Sequence, residues 1–173
     1  MTGRATERGT MMAKKATVGT PATLALARAG IPFTPHAYEH DPAAGSFGLE
    51  AAEALGVPPE RVFKTLIARA DAVVVVGIVP VVGRLDLKAL AAAVGAKRAV
   101  LADAAVAERR TGYVVGGISP IAQRSRLRTV LDASACDFET VYVSGGRRGL
   151  DIELTPEDLI TATGATLARI GRD

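Results

Sequence analysis

Two stretches of this chain combine residue types that could act on a carbonyl. The first is Thr111-Gly112-Tyr113-Val114-Val115-Gly116-Gly117-Ile118-Ser119-Pro120. Tyr113 to Val115 reads as a short buried strand, Gly116-Gly117 frees the backbone for a turn, and Pro120 ends further pairing. Such a turn exposes consecutive N–H groups, and a row of oriented amides can hold a carbonyl oxygen or an oxyanion without any charged side chain. The same letters also describe an ordinary turn at a strand end. The second stretch is Arg61-Val62-Phe63-Lys64-Thr65-Leu66-Ile67-Ala68. Alternation puts Val62, Lys64 and Leu66 on one face of a strand and Phe63, Thr65 and Ile67 on the other. A lysine between apolar neighbours either snorkels to a solvated face or is held in a site.

Other reactive side chains are sparse. His36 and His40 flank Tyr38, but Pro35 favours a strand over a metal-binding helix and no third ligand is evident, so a solvated strand edge and no metal are expected. Cys136 is the single cysteine, which excludes an internal disulfide and a cysteine-cluster metal site. It stands in Ala-Cys-Asp with no basic neighbour, and both histidines lie on one N-terminal segment, so no nucleophile with its own base is apparent. Arg124, Arg126 and Arg128 alternate; if extended, they form either a local basic ridge or an edge strand kept from aggregating by charge. In Ser144-Gly145-Gly146-Arg147-Arg148-Gly149-Leu150-Asp151, glycines flanking two arginines describe a turn that can approach a phosphate, or a solvated hairpin. Asp151 and Glu153 then share one face of the following segment.

These groups must be held by one ordinary globule. The chain has 173 residues, 49% of them hydrophobic, enough for a single core. No apolar run approaches the roughly 20 residues needed to span a bilayer, and no secretory block opens the chain, so no membrane association and a cytoplasmic location are expected. The formal net charge is +3, but four of the 21 basic residues and one of the 18 acidic ones precede residue 21, leaving 17 of each. The excess therefore sits in a basic tail, residues 1–19, expected to be disordered, and the domain over 20–173 is neutral.

Within that domain, Thr20-Pro21 starts a helix that Gly30 ends, and residues 33–39 look extended. Ser46 to Gly56 is a second helix carrying Phe47 near its start. Val73 to Val79 suits a buried central strand closed by Pro80, Asp86 caps a helix ending at Gly95, and Arg98 to Leu101 is a short strand. Asp103 caps a helix over 104–111, Val130 to Ala133 and Phe138 to Val143 are strands, and Thr155-Pro156 opens a last helix before a strand near 167–170. Strands and short helices without regular alternation predict an α+β domain with a mixed, curled, barrel-like sheet.

The ordered set Tyr38-Glu39-His40-Asp41-Pro42, Phe63-Lys64-Thr65-Leu66, Arg84-Leu85-Asp86-Leu87-Lys88, Thr111 to Pro120, and Val143 to Ile152 closely resembles the YbaK family. Its members are Cys-tRNA(Pro) deacylases related to the editing domain inserted in bacterial prolyl-tRNA synthetases, and the likeness runs from about Pro21 to the C-terminus. It implies a free-standing hydrolase that clears cysteine mischarged onto tRNA(Pro), without a cofactor, in a complex that includes prolyl-tRNA synthetase. A synthetase pocket sized for proline cannot reject a similarly small amino acid by binding alone, because a methylene-sized difference is worth only about 1–3 kcal/mol. By the same likeness Lys64 is the essential lysine beside the terminal phosphate and ribose. Tyr38, Phe47, Thr65 and Asp151 line the pocket, and Gly116, Gly117, Ile118, Ser119 and Pro120 form the loop whose main chain cradles the aminoacyl group. The family's route is substrate-assisted: the cysteine thiol attacks its own ester to give a thiolactone that opens in water. Arg124, Arg126, Arg147 and Arg148 are the candidate tRNA contacts. The resemblance also admits a deacylase for Ala-tRNA(Pro) or a broader set of aminoacyl-tRNAs. A module of another class, one that binds tRNA or a synthetase without catalysis, is the remaining alternative.

Overall fold

The computed structural model describes residues 19–173. The tail expected over 1–19 therefore lies outside the described residues except for Gly19. The chain opens with helix α1, Pro21–Ala29, where Thr20 and Thr23 cap one another reciprocally and Gly30 closes the helix in the left-handed region. Strand β1, Thr34–Ala37, and helix α2, Phe47–Leu55, follow, the latter capped by the Ser46 hydroxyl, which accepts the Leu49 N–H. A single turn at Pro59–Arg61 then feeds β2, Phe63–Ala70, and β3, Val73–Pro80. The remaining elements are β4, Arg84–Leu85; α3, Leu87–Ala93; β5, Ala99–Leu101; α4, Ala104–Thr111; β6, Arg128–Asp132; β7, Val141–Arg147; β8, Leu150–Leu154; α5, Pro156–Thr163; β9, Thr166–Ala168; and β10, Gly171–Arg172.

Five strands form one sheet in the order β5-β2-β3-β6-β9, antiparallel on the β2 side and parallel from β3 to β9. Three strands form a second, antiparallel sheet in the order β1-β8-β7, and β10 pairs with β4. A single parallel bridge between Val62 and Tyr142 stitches the two larger sheets together where β2 begins. The α+β class holds, but the sheets have free edges and do not close, so the barrel-like expectation is corrected: β5 and β9 are edges of one open sheet.

The continuous apolar run of β3 is buried because both of its faces are covered. Val74, Val76 and Ile78 enter one core with Phe63, Ile67 and the helix residues Leu26 and Leu159. Val75 and Val79 enter another with Ala68, Leu90 and Ile170. A third, smaller cluster joins Ala51 and Ala52 of α2 to Val62, Val81 and Tyr142. Lys64 thus sits on a strand whose neighbours are fixed by packing on both sides.

Three other local expectations change. Tyr113 to Val115 is not a strand: Tyr113 is buried, with its hydroxyl donating to the Ile121 carbonyl, whereas Val114 and Val115 are exposed in a turn closed by the Gly117 N–H on the Val114 carbonyl. Arg124, Arg126 and Arg128 are exposed and do alternate, yet only Arg128 belongs to a strand, and β6 is paired on both sides rather than forming an edge. Asp103 precedes α4 but makes no side-chain capping bond. Among the described residues no helix is long and apolar enough to cross a membrane.

Candidate active site

β2, the start of α2, the start of α4, the turn after it and one residue of β8 enclose a cleft of about 460 Å³. Of the site residues expected from the sequence, Lys64, Thr65, Tyr38, Phe47, Gly116, Ile118 and Asp151 line it. Residues as far apart in sequence as Tyr38 and Asp151 are brought to one cavity.

Lys64 is half-buried, and its Nζ donates to the Gly83 carbonyl at 2.8 Å. Burial first, and then the nearby charge of Arg84, hold its ammonium below the usual lysine range. Thr65, the next residue on β2, has a buried Oγ1 without a hydrogen-bond partner among the described residues. A buried hydroxyl left unpaired costs free energy, and a ligand atom in the cleft would remove that cost.

Asp151 is the one carboxyl among the lining residues. β8 places it opposite Ser144 of β7 and His36 of β1, with only 6% of its surface exposed. Burial, with no donor to offset it, pushes its pKa up to about 7. Tyr38 lies nearby, and burial followed by the charges of Asp151 and Glu50 raises its phenol to about 12, so it is a neutral wall that can donate. The Asp151 shift has a consequence for stability. Between its ordinary value of 3.8 and about 7, the carboxyl is ionised in the unfolded chain but held protonated in the fold. Stability contributed by this group is therefore full below 3.8 and is lost as pH rises through about 7. Denaturation of native protein and of Asp151→Asn in parallel should show the variant gaining relative stability on going from pH 4 to pH 8. A difference independent of pH would refute the buried, unpaired carboxyl.

In the turn, Gly117 is occupied, since its N–H closes the turn on Val114, while the Gly116 and Ile118 N–H groups take no acceptor among the described residues. Gly116 needs to be glycine: its φ is +90°, and a Cβ there would lie 2.8 Å from Arg148 Nε and 2.9 Å from Phe47 Cζ. Gly117 packs against the backbone of Arg147 and Arg148, where a Cβ would lie 2.8 Å from Arg147 Cα. Ser119 and Pro120 are buried behind the turn, Ser119 accepting the Ile121 N–H. Gly117, Ser119 and Pro120 therefore do not line the cleft; they shape the turn that does.

None of Arg124, Arg126, Arg147 and Arg148 lines the cleft. Arg148, exposed on the β7–β8 hairpin, packs onto the turn beside it: its guanidinium donates to the Val115 carbonyl and lies 5.1 Å from the centre of the Phe47 ring. Elsewhere, His36 pairs with Glu153 and His40 with Glu50, so the two histidines engage different carboxylates. Among the described residues no group of three or more His, Cys, Asp or Glu could hold a metal ion. Cys136 is exposed in the turn after β6 and does not line the cleft.

Sequence reading missed Leu101, Ala102, Ala104 and Ala107, which line the cleft from the end of β5 into α4, and Ser144. The run of small residues in Ala102-Asp103-Ala104-Ala105 was a visible signal of close approach, though nothing local says what approaches.

The cleft thus gathers one cation, two amides without acceptors among the described residues and a buried carboxyl, with neither histidine nor cysteine in its lining. The aminoacyl-tRNA editing domain family matches residues 41–162, and the chain belongs to that family. Its activity is that of an aminoacyl-tRNA deacylase. A relative from Enterococcus faecalis, provisionally named Cys-tRNA(Pro)/Cys-tRNA(Cys) deacylase EbsC, is 38% identical over 120 residues, 69% of this chain and 73% of that protein. Among solved structures, a hypothetical protein has 29% identity and a TM-score of 0.79, covering 88% of this chain and 99% of its own. A protein provisionally named as a trans-editing enzyme for prolyl tRNA synthetase shares the fold with a TM-score of 0.76 and 24% identity, covering 88% and 96% of the two chains.

Proposed function

We propose that the protein hydrolyses the ester of cysteine mischarged onto tRNA(Pro), with the substrate's own thiol as nucleophile. The observation that carries this reading is the composition of the cleft: it offers a cation, free amides and a lone buried carboxyl, and its lining holds no nucleophile paired with a base. The relative named for Cys-tRNA deacylation supports the choice of amino acid.

Lys64 meets the ribose and phosphate end of the substrate. Asp151, ionised by the approach of a cation, meets the α-ammonium group at the other end; an opposite charge offsets the desolvation that now raises its pKa. The Gly116 and Ile118 amides receive the carbonyl oxygen as it becomes an oxyanion, and Tyr38 and Phe47 wall the side chain. In the reaction the thiol gives up its proton, a C–S bond forms at the carbonyl, and the C–O bond to ribose breaks. The ribose oxygen takes a proton, leaving a thiolactone and free tRNA. Water then opens the thiolactone, placing hydroxyl on the carbonyl carbon and a proton on sulfur, which releases cysteine. Orientation of an intramolecular nucleophile can supply roughly 7–11 kcal/mol of such a barrier.

With a neutral domain and none of its four candidate arginines lining the cleft, tRNA(Pro) selection is assigned to prolyl-tRNA synthetase in a ternary complex. Release of amino acid from Cys-, Ala-, Ser- and Pro-tRNA(Pro), with and without that synthetase, tests the whole reading. Cys-tRNA(Pro) should react fastest. Ser-tRNA(Pro), with a far less acidic hydroxyl, should be slower by at least about 100-fold, or about 2.7 kcal/mol. Cys136→Ala should keep the native rate. Equal rates on Cys and Ser, or an inactive Cys136→Ala, would refute the substrate-thiol route. Faster release of alanine would reassign the pocket, and salt-sensitive tRNA binding without any release would mark a binding module.

A further inference from the structure

A guanidinium on a hairpin tip suits a nucleic-acid phosphate, yet the Arg148 side chain is already committed. Its Nε and Nη2 donate to the Val115 carbonyl at 3.1 and 2.7 Å, and its Cζ lies over the Phe47 ring, 5.1 Å from the centre. From the opposite element, Glu108 of α4 accepts the Val115 N–H at 2.8 Å. One exposed residue is thus pinned at both its polar groups, by side chains from two different elements.

The peptide that follows matters most. The Val115 carbonyl and the Gly116 N–H belong to one planar trans unit and point in opposite directions, so fixing the carbonyl also fixes the aim of the N–H. A Val-Gly peptide in a turn is otherwise free to flip, since glycine tolerates either sign of φ. A cation on the carbonyl also polarises the unit and makes its N–H a stronger donor. We propose that Arg148 is a positioning residue: it locks the Val115–Gly116 peptide so that the Gly116 N–H serves as an oxyanion donor, with Glu108 bracing the same residue from α4, and it is not a tRNA phosphate contact. This rests on the reading of the turn as the cradle of the acyl carbonyl.

The test is steady-state deacylation of Cys-tRNA(Pro) by native protein, Arg148→Gln, Arg148→Lys, Glu108→Ala and the Arg148→Gln/Glu108→Ala pair, with the salt dependence of kcat/KM and the amide exchange of Gly116 in the free proteins. Arg148→Gln should lower kcat by about 10- to 100-fold, somewhat less than outright loss of an oxyanion donor. KM and the salt slope should stay at native values, and Gly116 amide exchange should quicken. Arg148→Lys should recover only part of kcat, because an ammonium cannot make the paired bonds of the fork. The double variant should lose less than the product of the single losses, since both side chains hold one residue. A raised KM with a salt slope reduced by about 1 and an unchanged kcat would show a phosphate contact and overturn the proposal. Native kcat and native Gly116 exchange in Arg148→Gln would overturn it as well, while leaving the reading of the site intact. A native protein that releases no amino acid overturns both.

Discussion

Lys64→Ala is expected to lower kcat/KM for Cys-tRNA(Pro) by at least about 100-fold while the protein stays folded. The lysine is the cation of the cleft lining, and charged hydrogen bonds to a substrate are worth about 1.5–3 kcal/mol each, so an ammonium meeting both ribose and phosphate accounts for such a loss. The fold should survive because among the described residues the side chain makes a single bond, to the Gly83 carbonyl, while the β2 backbone is held by its ladder to β3. Burial and the Arg84 charge both disfavour the ammonium, so its removal also removes an unfavourable term at neutral pH. Lys64→Arg should recover little, because a planar guanidinium cannot occupy the space of a compact ammonium. The checks are single-turnover deacylation and the thermal midpoint. Activity within a few-fold of native, in a folded variant, would remove Lys64 from the site.

Gly116→Ala should be nearly as damaging, for a steric reason. At φ +90° an L side chain is strained, and the new Cβ would press on Arg148 Nε and Phe47 Cζ at under 3 Å. The turn can relieve this only by rotating the peptide whose N–H is the proposed oxyanion donor. Losing one such donor costs about 2.7–4 kcal/mol of transition-state stabilisation, a fall in kcat of about 10²- to 10³-fold. Stability should fall by only about 1–3 kcal/mol, since the turn is at the surface of the cleft and not in a core. A variant that unfolds outright would leave the rate uninformative, so Phe47→Leu combined with Gly116→Ala, which clears one of the two clashes, serves as the companion measurement. Normal kcat in either folded protein would show that the Gly116 amide takes no part.

Much of the scaffold was legible because its signals are local. Helix starts at Thr20-Pro21, Ser46, Asp86 and Thr155-Pro156 all coincide with capped helices, and each needs only a side-chain oxygen a few residues from the N–H it accepts. The run from Val73 to Val79 was readable as central because an uninterrupted apolar strand needs cover on both faces. Tyr113 to Val115 was misread for the complementary reason. Apolar letters there looked buried, but Val115 is spent on the rim of a cleft rather than on a core. The basic ridge was legible only as alternation; that Arg128 alone would enter a doubly paired strand depends on β3 and β9, which are remote in the chain.

Residue types alone therefore determined which groups are available: one lysine on a strand, a glycine turn rich in amides, and no nucleophile with a base beside it in sequence. They could do so because hydrogen-bonding capacity and backbone freedom are properties of each residue. Only the tertiary structure decided which groups face one another. The open sheet order, the convergence of Asp151 with Lys64, and the packing of Arg148 onto Val115 all depend on contacts between distant segments, and such contacts are set by how whole elements pack rather than by any neighbour in the chain.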